Sequence, residues 1–289
     1  MGTSTSSSGP GAGVRLVPPW VQADGPDPVV PHPITPPENT PTPPQGTPTA
    51  TPQLPGEGQA QEVVMAPPRR FFGARRGIGR FAQTGESGDL KRGLGHYVRG
   101  IGGGKQGVRR MATTVRTANA LFNTLSALRL GQTAGLDLGV NPASLAGRPA
   151  KEVMDVIIEA IRPNDGTQDS EANRMSIASA TSDLLTEFPN VDLTAITSEQ
   201  IDLLIERYIA QDLCQRIELD VGRTLQARAA TAAEAIRRLD AIKDYINSEV
   251  QSQFVARRAR GEHLQRNQVG KLVAEVMLDV FYVFEGYLS

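Results

Sequence analysis

The groups in this sequence that could do chemistry are few and widely separated. The first is the amine of Gly2, which becomes the terminus once Met1 is removed, as the small second residue favours. With an ordinary pKa of about 8, such an amine keeps a neutral, nucleophilic fraction near neutral pH. The Ser, Thr and Gly residues that follow place no bulk around it. The single thiol, Cys214, stands in an apolar run with Ile209, Leu213 and Ile217 and has no acid–base neighbour in sequence. A structural thiol is the expected reading. His32, His96 and His263 lie far apart and form no HExxH or comparable metal pattern. Glu199/Asp202 and Asp240/Asp244 are pairs one helical turn apart. They read as solvated faces, since a general acid–base pair needs a pocket that perturbs its pKa values. GIGGG at 100–104 followed by Lys105 resembles a phosphate loop until Gln106, where a P-loop requires Ser or Thr. Gly77 and Gly79 lack the preceding strand of a dinucleotide loop. No catalytic, cofactor-binding or metal-binding residue is therefore expected, and a non-enzymatic role follows.

The elements that must position these groups differ sharply in composition. Residues 69–110 hold eleven Lys or Arg, two acids and twelve Gly, for a formal charge of +9. Residues 1–68 carry one Arg against five acids, and residues 151–289 carry fifteen basic against twenty-three acidic residues. The chain's net charge of -1 thus conceals a basic centre in an acidic protein. Contact with the acidic half or with another polyanion is the question this raises. In this stretch the aromatic and aliphatic residues interrupt the cations, and Leu90, Leu94 and Tyr97 fall at i, i+4 and i+7 of a short helix over about 89–99. Asp89 can cap it or serve as a first-turn acid. Gly93 and Gly95 cost that helix about 1 kcal/mol each relative to Ala, so packing must hold it. Arg75, Arg76, Arg80, Phe81, Lys91, Arg92, Tyr97, Arg99, Arg109 and Arg110 are the candidate partner-binding residues. Protein contact is the favoured reading. Nucleic acid, held by phosphate contacts and by stacking on Phe and Tyr, is the alternative.

Seventeen of the twenty-one prolines lie in residues 1–68, with one aromatic, Trp20. Such a leader has too little apolar area to offset the entropy of ordering, and a disordered, partly polyproline II tail is expected. LVPPW offers a second candidate contact: Pro18 and Pro19 preset the backbone, and Leu16 and Trp20 supply apolar anchors. Gly2 with Ser6 also matches a myristoylation signal, but no basic cluster adjoins it to complete a stable anchor. No secretory signal and no membrane span are read, and the lone cysteine fits a reducing, cytoplasmic setting.

The remainder is helical by periodicity. Helices are expected over about 107–129, 149–161, 169–188, 199–225, 232–259 and 267–286, with a Gly- and Pro-punctuated connector at 130–150. Thr197 or Ser198 can cap the fourth, Gly222 can bend it, and the last has an apolar face broad enough for a central helix. The fold class is mostly α: a disordered leader at 1–68, a basic Gly/Arg-rich docking segment at 69–110, and a helical domain at 111–289.

The start MGTSTSSSGPG with LVPPW, the block FFGARRGIGRFAQTGESGDLKRGLGHYVR and the following GVRRMATTVRTANALF resemble the QatB family of the bacterial Qat anti-phage system. Ala112 stands where many relatives are expected to carry glycine. The resemblance implies a non-enzymatic component acting beside an ATPase, a QueC-like enzyme and a TatD-like nuclease, with no cofactor of its own and an oligomeric state left open. It further implies that Gly2 is an acceptor for a deazaguanine-type group, joined as an amide by the QueC-like partner.

Overall fold

The computed structural model describes residues 70–132, 138–139 and 141–288. Among them there are helices α1 (Phe72–Thr84), α2 (Ser87–Gly100), α3 (Gly104–Arg110), α4 (Ala112–Arg129), α5 (Ala150–Ile161), α6 (Gln168–Glu187), α7 (Ser198–Arg228), α8 (Ala232–Ala259) and α9 (Val269–Gly286), one 3-10 turn at Pro142–Leu145, and no strand. The protein is mostly α, as the periodicity predicts. Five of the six expected body helices agree with α5–α9 to within a few residues. The sixth, expected to run unbroken over 107–129, is divided at Met111 into α3 and α4.

Local chemistry explains the boundaries. Thr197 accepts from the backbone N–H of Gln200, and the Gln200 side chain accepts from that of Thr197, a reciprocal cap that starts α7. Thr167 and Thr231 cap α6 and α8 in the same way through one bond each. Asp89 is the first-turn acid of α2 rather than its cap. The turn between α1 and α2 closes on Gly85, whose φ of 73° puts it in the left-handed region and whose N–H reaches Phe81 O at 2.8 Å. Gly222 does not interrupt α7, which stays helical through it.

Helix α7 packs on α1, α4, α6 and α8, while α9 packs on α2, α3, α4 and α8. The broad apolar face of α9 is buried from Val269 to Phe284, and α7 shares the central position with it. Residues 72–110, read from sequence as a segment beside the helical domain, form α1–α3. Their Ile78, Phe81, Leu90, Leu94, Tyr97 and Ile101 belong to the same buried apolar cluster as α4–α9.

The glycines of that basic stretch are what let it enter the core. A Cβ placed on Gly77 would lie 2.5 Å from Gly93 Cα, and one on Gly95 would lie 2.7 Å from the carbonyl oxygen of Phe284. One on Gly107 would lie 2.8 Å from the Phe281 ring. Small residues at these points bring helix axes close, and the resulting contacts offset the poor helix propensity of glycine. Cations occupy the opposite faces, so Arg/Gly richness here encodes a tightly packed helical hairpin with a charged exterior.

Candidate docking surface

Helices α1 and α7 meet along a groove of about 1200 Å³. Arg75, Arg76 and Arg80 line it from α1, and Arg223 and Arg228 from α7, against the carboxylates of Glu218 and Asp220. The two helices run in the same direction along it. Near one end Arg75 Nη2 donates to the Asp220 carbonyl at 3.3 Å. One turn further on, a Cβ at Gly79 would meet Thr224 Cγ2 at 3.3 Å and Arg228 Cγ at 3.4 Å. The bare backbone at Gly79 lets α1 approach these α7 side chains closely. Phe72 and Leu219, 61% and 43% exposed, stand at the Arg75 end.

The cations differ in how they are engaged. Arg80 Nε lies 3.4 Å and Arg92 Nη2 3.6 Å from Asp89 Oδ1, so two half-exposed guanidinia hold one buried carboxylate. Lys91 Nζ sits 5.4 Å above the Tyr287 ring and 6.0 Å from that of Tyr245. Arg76, Arg99 and Arg109 are exposed, and no described residue forms an ion pair or hydrogen bond with their side chains. Arg110 is exposed at the end of α3. Arg223 and Arg228 are likewise exposed and without a partner among the described residues.

The two aromatics predicted for this surface are core residues. Phe81 is buried, with the Arg238 guanidinium 5.6 Å from its ring centroid. Tyr97 is buried, stacks on Phe71 at 5.3 Å between centroids, and donates its hydroxyl proton to Asp220 Oδ2 at 3.0 Å. Burial first, then the Asp220 charge, hold the Tyr97 phenol far above its usual range. Burial also raises Asp220, against the opposing pull of the Tyr97 hydroxyl and of Arg70, Arg75 and Arg216. Their placement corrects the expectation that Phe81 and Tyr97 interleave with the cations at the surface: i, i+4, i+7 spacing made them the apolar stripe of α1 and α2. Gly2, Leu16, Pro18, Pro19 and Trp20 lie outside the described residues.

Elsewhere, Cys214 is buried and burial pushes its thiol up to about 12, the character of an inert structural thiol. Asp202 departs from the solvated role expected of it. It is half-buried, and burial raises its carboxyl to about 6 despite Arg258 and His263 nearby. Among the described residues no group of three or more His, Cys, Asp or Glu is placed to hold a metal ion. No helix among them is long and apolar enough to cross a membrane.

Sequence reasoning missed Phe72, Leu219, Arg223 and Arg228. Arg223 and Arg228 looked like the polar face of an ordinary amphipathic helix, and the contact that aligns them with Arg75–Arg80 joins residues some 145 positions apart. No local pattern carries that pairing.

These features define a helical protein with a charged groove between two of its helices. The family model described as Qat anti-phage system associated protein QatB matches residues 102–284. The chain belongs to that family and is a component of the Qat anti-phage system. The match begins after α2, so the hairpin that carries Arg75–Arg99 precedes it. No match was found among curated proteins or among solved structures.

Proposed function

We propose that this chain is a non-enzymatic adaptor of the Qat system that docks a protein partner on the cationic face of α1–α2 and its continuation on α7. The observation that carries the reading is the convergence of arginines from two helices distant in sequence on one groove. Convergence of like charge in a folded protein is costly unless a partner neutralises it. The QueC-like enzyme, ATPase and TatD-like nuclease of the system are the partners in view. In the same reading the Gly2 amine is the acceptor for a deazaguanine-type group: its nitrogen attacks a carboxyl activated at ATP's expense by the QueC-like enzyme, an amide forms, and the activating group leaves. The catalytic groups belong to that enzyme, and this chain supplies the amine and the docking surface. Cytoplasmic action fits this chemistry.

Coexpression with the neighbouring components tests both parts. Arg76→Glu/Arg99→Glu/Arg109→Glu, which breaks no pair among the described residues, should abolish copurification and protection from phage while leaving the helical circular-dichroism signal intact. Intact mass should show a deazaguanine adduct on wild-type chain and none on Gly2→Pro. Persistence of assembly in the triple variant would refute the docking role, and an unmodified chain from a protective complex would refute the acceptor role.

Nucleic acid as the partner is less favoured for a stated reason. Stacking needs exposed rings along the cationic track, and of the aromatics in 71–97 only Phe72 is largely exposed.

A further inference from the structure

The geometry points to a specific kind of partner segment for the α1/α7 groove: a short helical peptide with apolar side chains at one end and carboxylates along the rest. This rests on the docking reading above and narrows it to one site and one chemistry. The groove is polar in a graded way. At the Arg75 end, Phe72 and Leu219 present exposed apolar surface side by side with the Arg75–Asp220 contact. Beyond it, Arg76 and Arg80 from α1 face Arg223 and Arg228 from α7 across the glycine floor at Gly79. Because the helices run the same way, the two exposed apolar groups share the end where Arg75 meets Asp220, and the groove beyond them is lined by cations and polar side chains.

Each end asks for something different of a ligand. Two exposed large apolar groups call for an apolar anchor, since burying both returns a favourable hydrophobic term. Arg76, Arg223 and Arg228, with no partner among the described residues, call for carboxylates, which guanidinia bind in paired hydrogen bonds. From Phe72 to Gln83 the groove follows eleven helical steps, about 17 Å at 1.5 Å each, which a peptide helix of about twelve residues spans. A phosphate backbone fits less well. It would bring charge against the lining carboxylates Glu218 and Asp220, and it has no use for an apolar end. A peptide can present an amide, a hydroxyl or a cation where those carboxylates lie.

The test uses the full chain and three fluorescein-labelled probes, read by anisotropy. The first is a helical peptide of about twelve residues with leucines in its first turn and glutamates on the same face beyond. The second replaces the leucines by glutamine, and the third is single-stranded oligothymidylate. The first probe should bind about tenfold more tightly than the second. Phe72→Ala/Leu219→Ala should erase that difference without altering salt dependence. Arg76→Glu/Arg223→Glu should weaken the first probe by about tenfold or more, whereas Arg148→Glu/Lys151→Glu at the start of α5, exposed and outside the groove, should not. Equal binding of the two peptides, no binding of either, or tighter groove-dependent binding of the oligonucleotide would overturn the proposal. If it falls while Arg76→Glu/Arg99→Glu/Arg109→Glu still dissolves the coexpressed assembly, the adaptor role stands and docking lies elsewhere on the cationic face.

Discussion

Gly77 and Gly93 touch backbone to backbone: a side chain at Gly77 would begin 2.5 Å from the Cα of Gly93 and 2.7 Å from its nitrogen. Neither atom can swing aside as a side-chain tip would, so α1 and α2 must separate to admit one methyl group. Gly77→Ala should cost about 2–3 kcal/mol, as overpacking of a tight interface does. Gly88, exposed on the same helical pair with only the Arg92 guanidinium 3.7 Å away, lacks that constraint. Gly88→Ala should be neutral or stabilise by about 0.5 kcal/mol through helix propensity. Urea unfolding followed by circular dichroism distinguishes them, and equal effects of the two substitutions would show that the close approach does not govern stability.

That pair also shows where the sequence was readable. The helices α5–α9 announce themselves because their apolar residues recur at 3.6-residue spacing, and Thr caps stand before α6, α7 and α8. The face of α2 was legible for the same reason through Leu90, Leu94 and Tyr97. Helix α1 was not, because its buried face is built partly from Gly77 and Gly79, which read as loop residues until the facing backbone is known. The same blindness applies to the groove. Arg75, Arg76 and Arg80 were picked out by charge alone, whereas Arg223, Arg228, Phe72 and Leu219 acquire meaning only through a contact between α1 and α7.

Cys214 should be unreactive in the native protein. It is buried, and burial pushes its thiol up to about 12, so almost no thiolate exists at pH 8. A disulfide-exchange reagent such as dithionitrobenzoate should release no colour from the folded chain and one equivalent per chain on addition of urea. Rapid reaction without denaturant would mean that α7 opens locally. Cys214→Ala should retain assembly with the coexpressed components, because the thiol takes no part in the docking surface.

Asp202 gives stability a pH dependence opposite to that of a salt-bridged acid. Burial raises its carboxyl from 3.8 to about 6, the pull of Arg258 and His263 notwithstanding. Its protonated form is therefore the one the fold prefers. The contribution is fully present below the unfolded value and is lost as pH rises through about 6. Asp202→Asn should stabilise the protein at pH 7.5 by about 1 kcal/mol, a figure discounted for the half-exposed position, with less gain at pH 5. Urea midpoints of both chains at the two pH values measure this, and a gain that grows toward acid would reverse the sign.

Asp212 is the fully buried acid on which α4, α6 and α7 converge. It accepts from the Thr114 hydroxyl, from Asn173 Nδ2 at 2.9 Å and from Arg216 Nε at 3.0 Å. Asn173 Nδ2 also donates to the Tyr208 hydroxyl at 2.8 Å. Removing the carboxylate alone leaves donors from three helices facing one another and the Arg216 charge without its closest counter-ion. Asp212→Leu should therefore cost about 3–5 kcal/mol. Thr114→Val removes one neutral donor and should cost about 1 kcal/mol. The informative comparison is Asp212→Leu with Asp212→Leu/Arg216→Leu. Taking both charges away avoids the unpaired guanidinium, so the double variant should be more stable than the single one. If the second substitution instead adds its own full cost, Arg216 is held by Asp169, 3.6 Å from its Nη1, and Asp212 serves to orient Asn173 and Thr114.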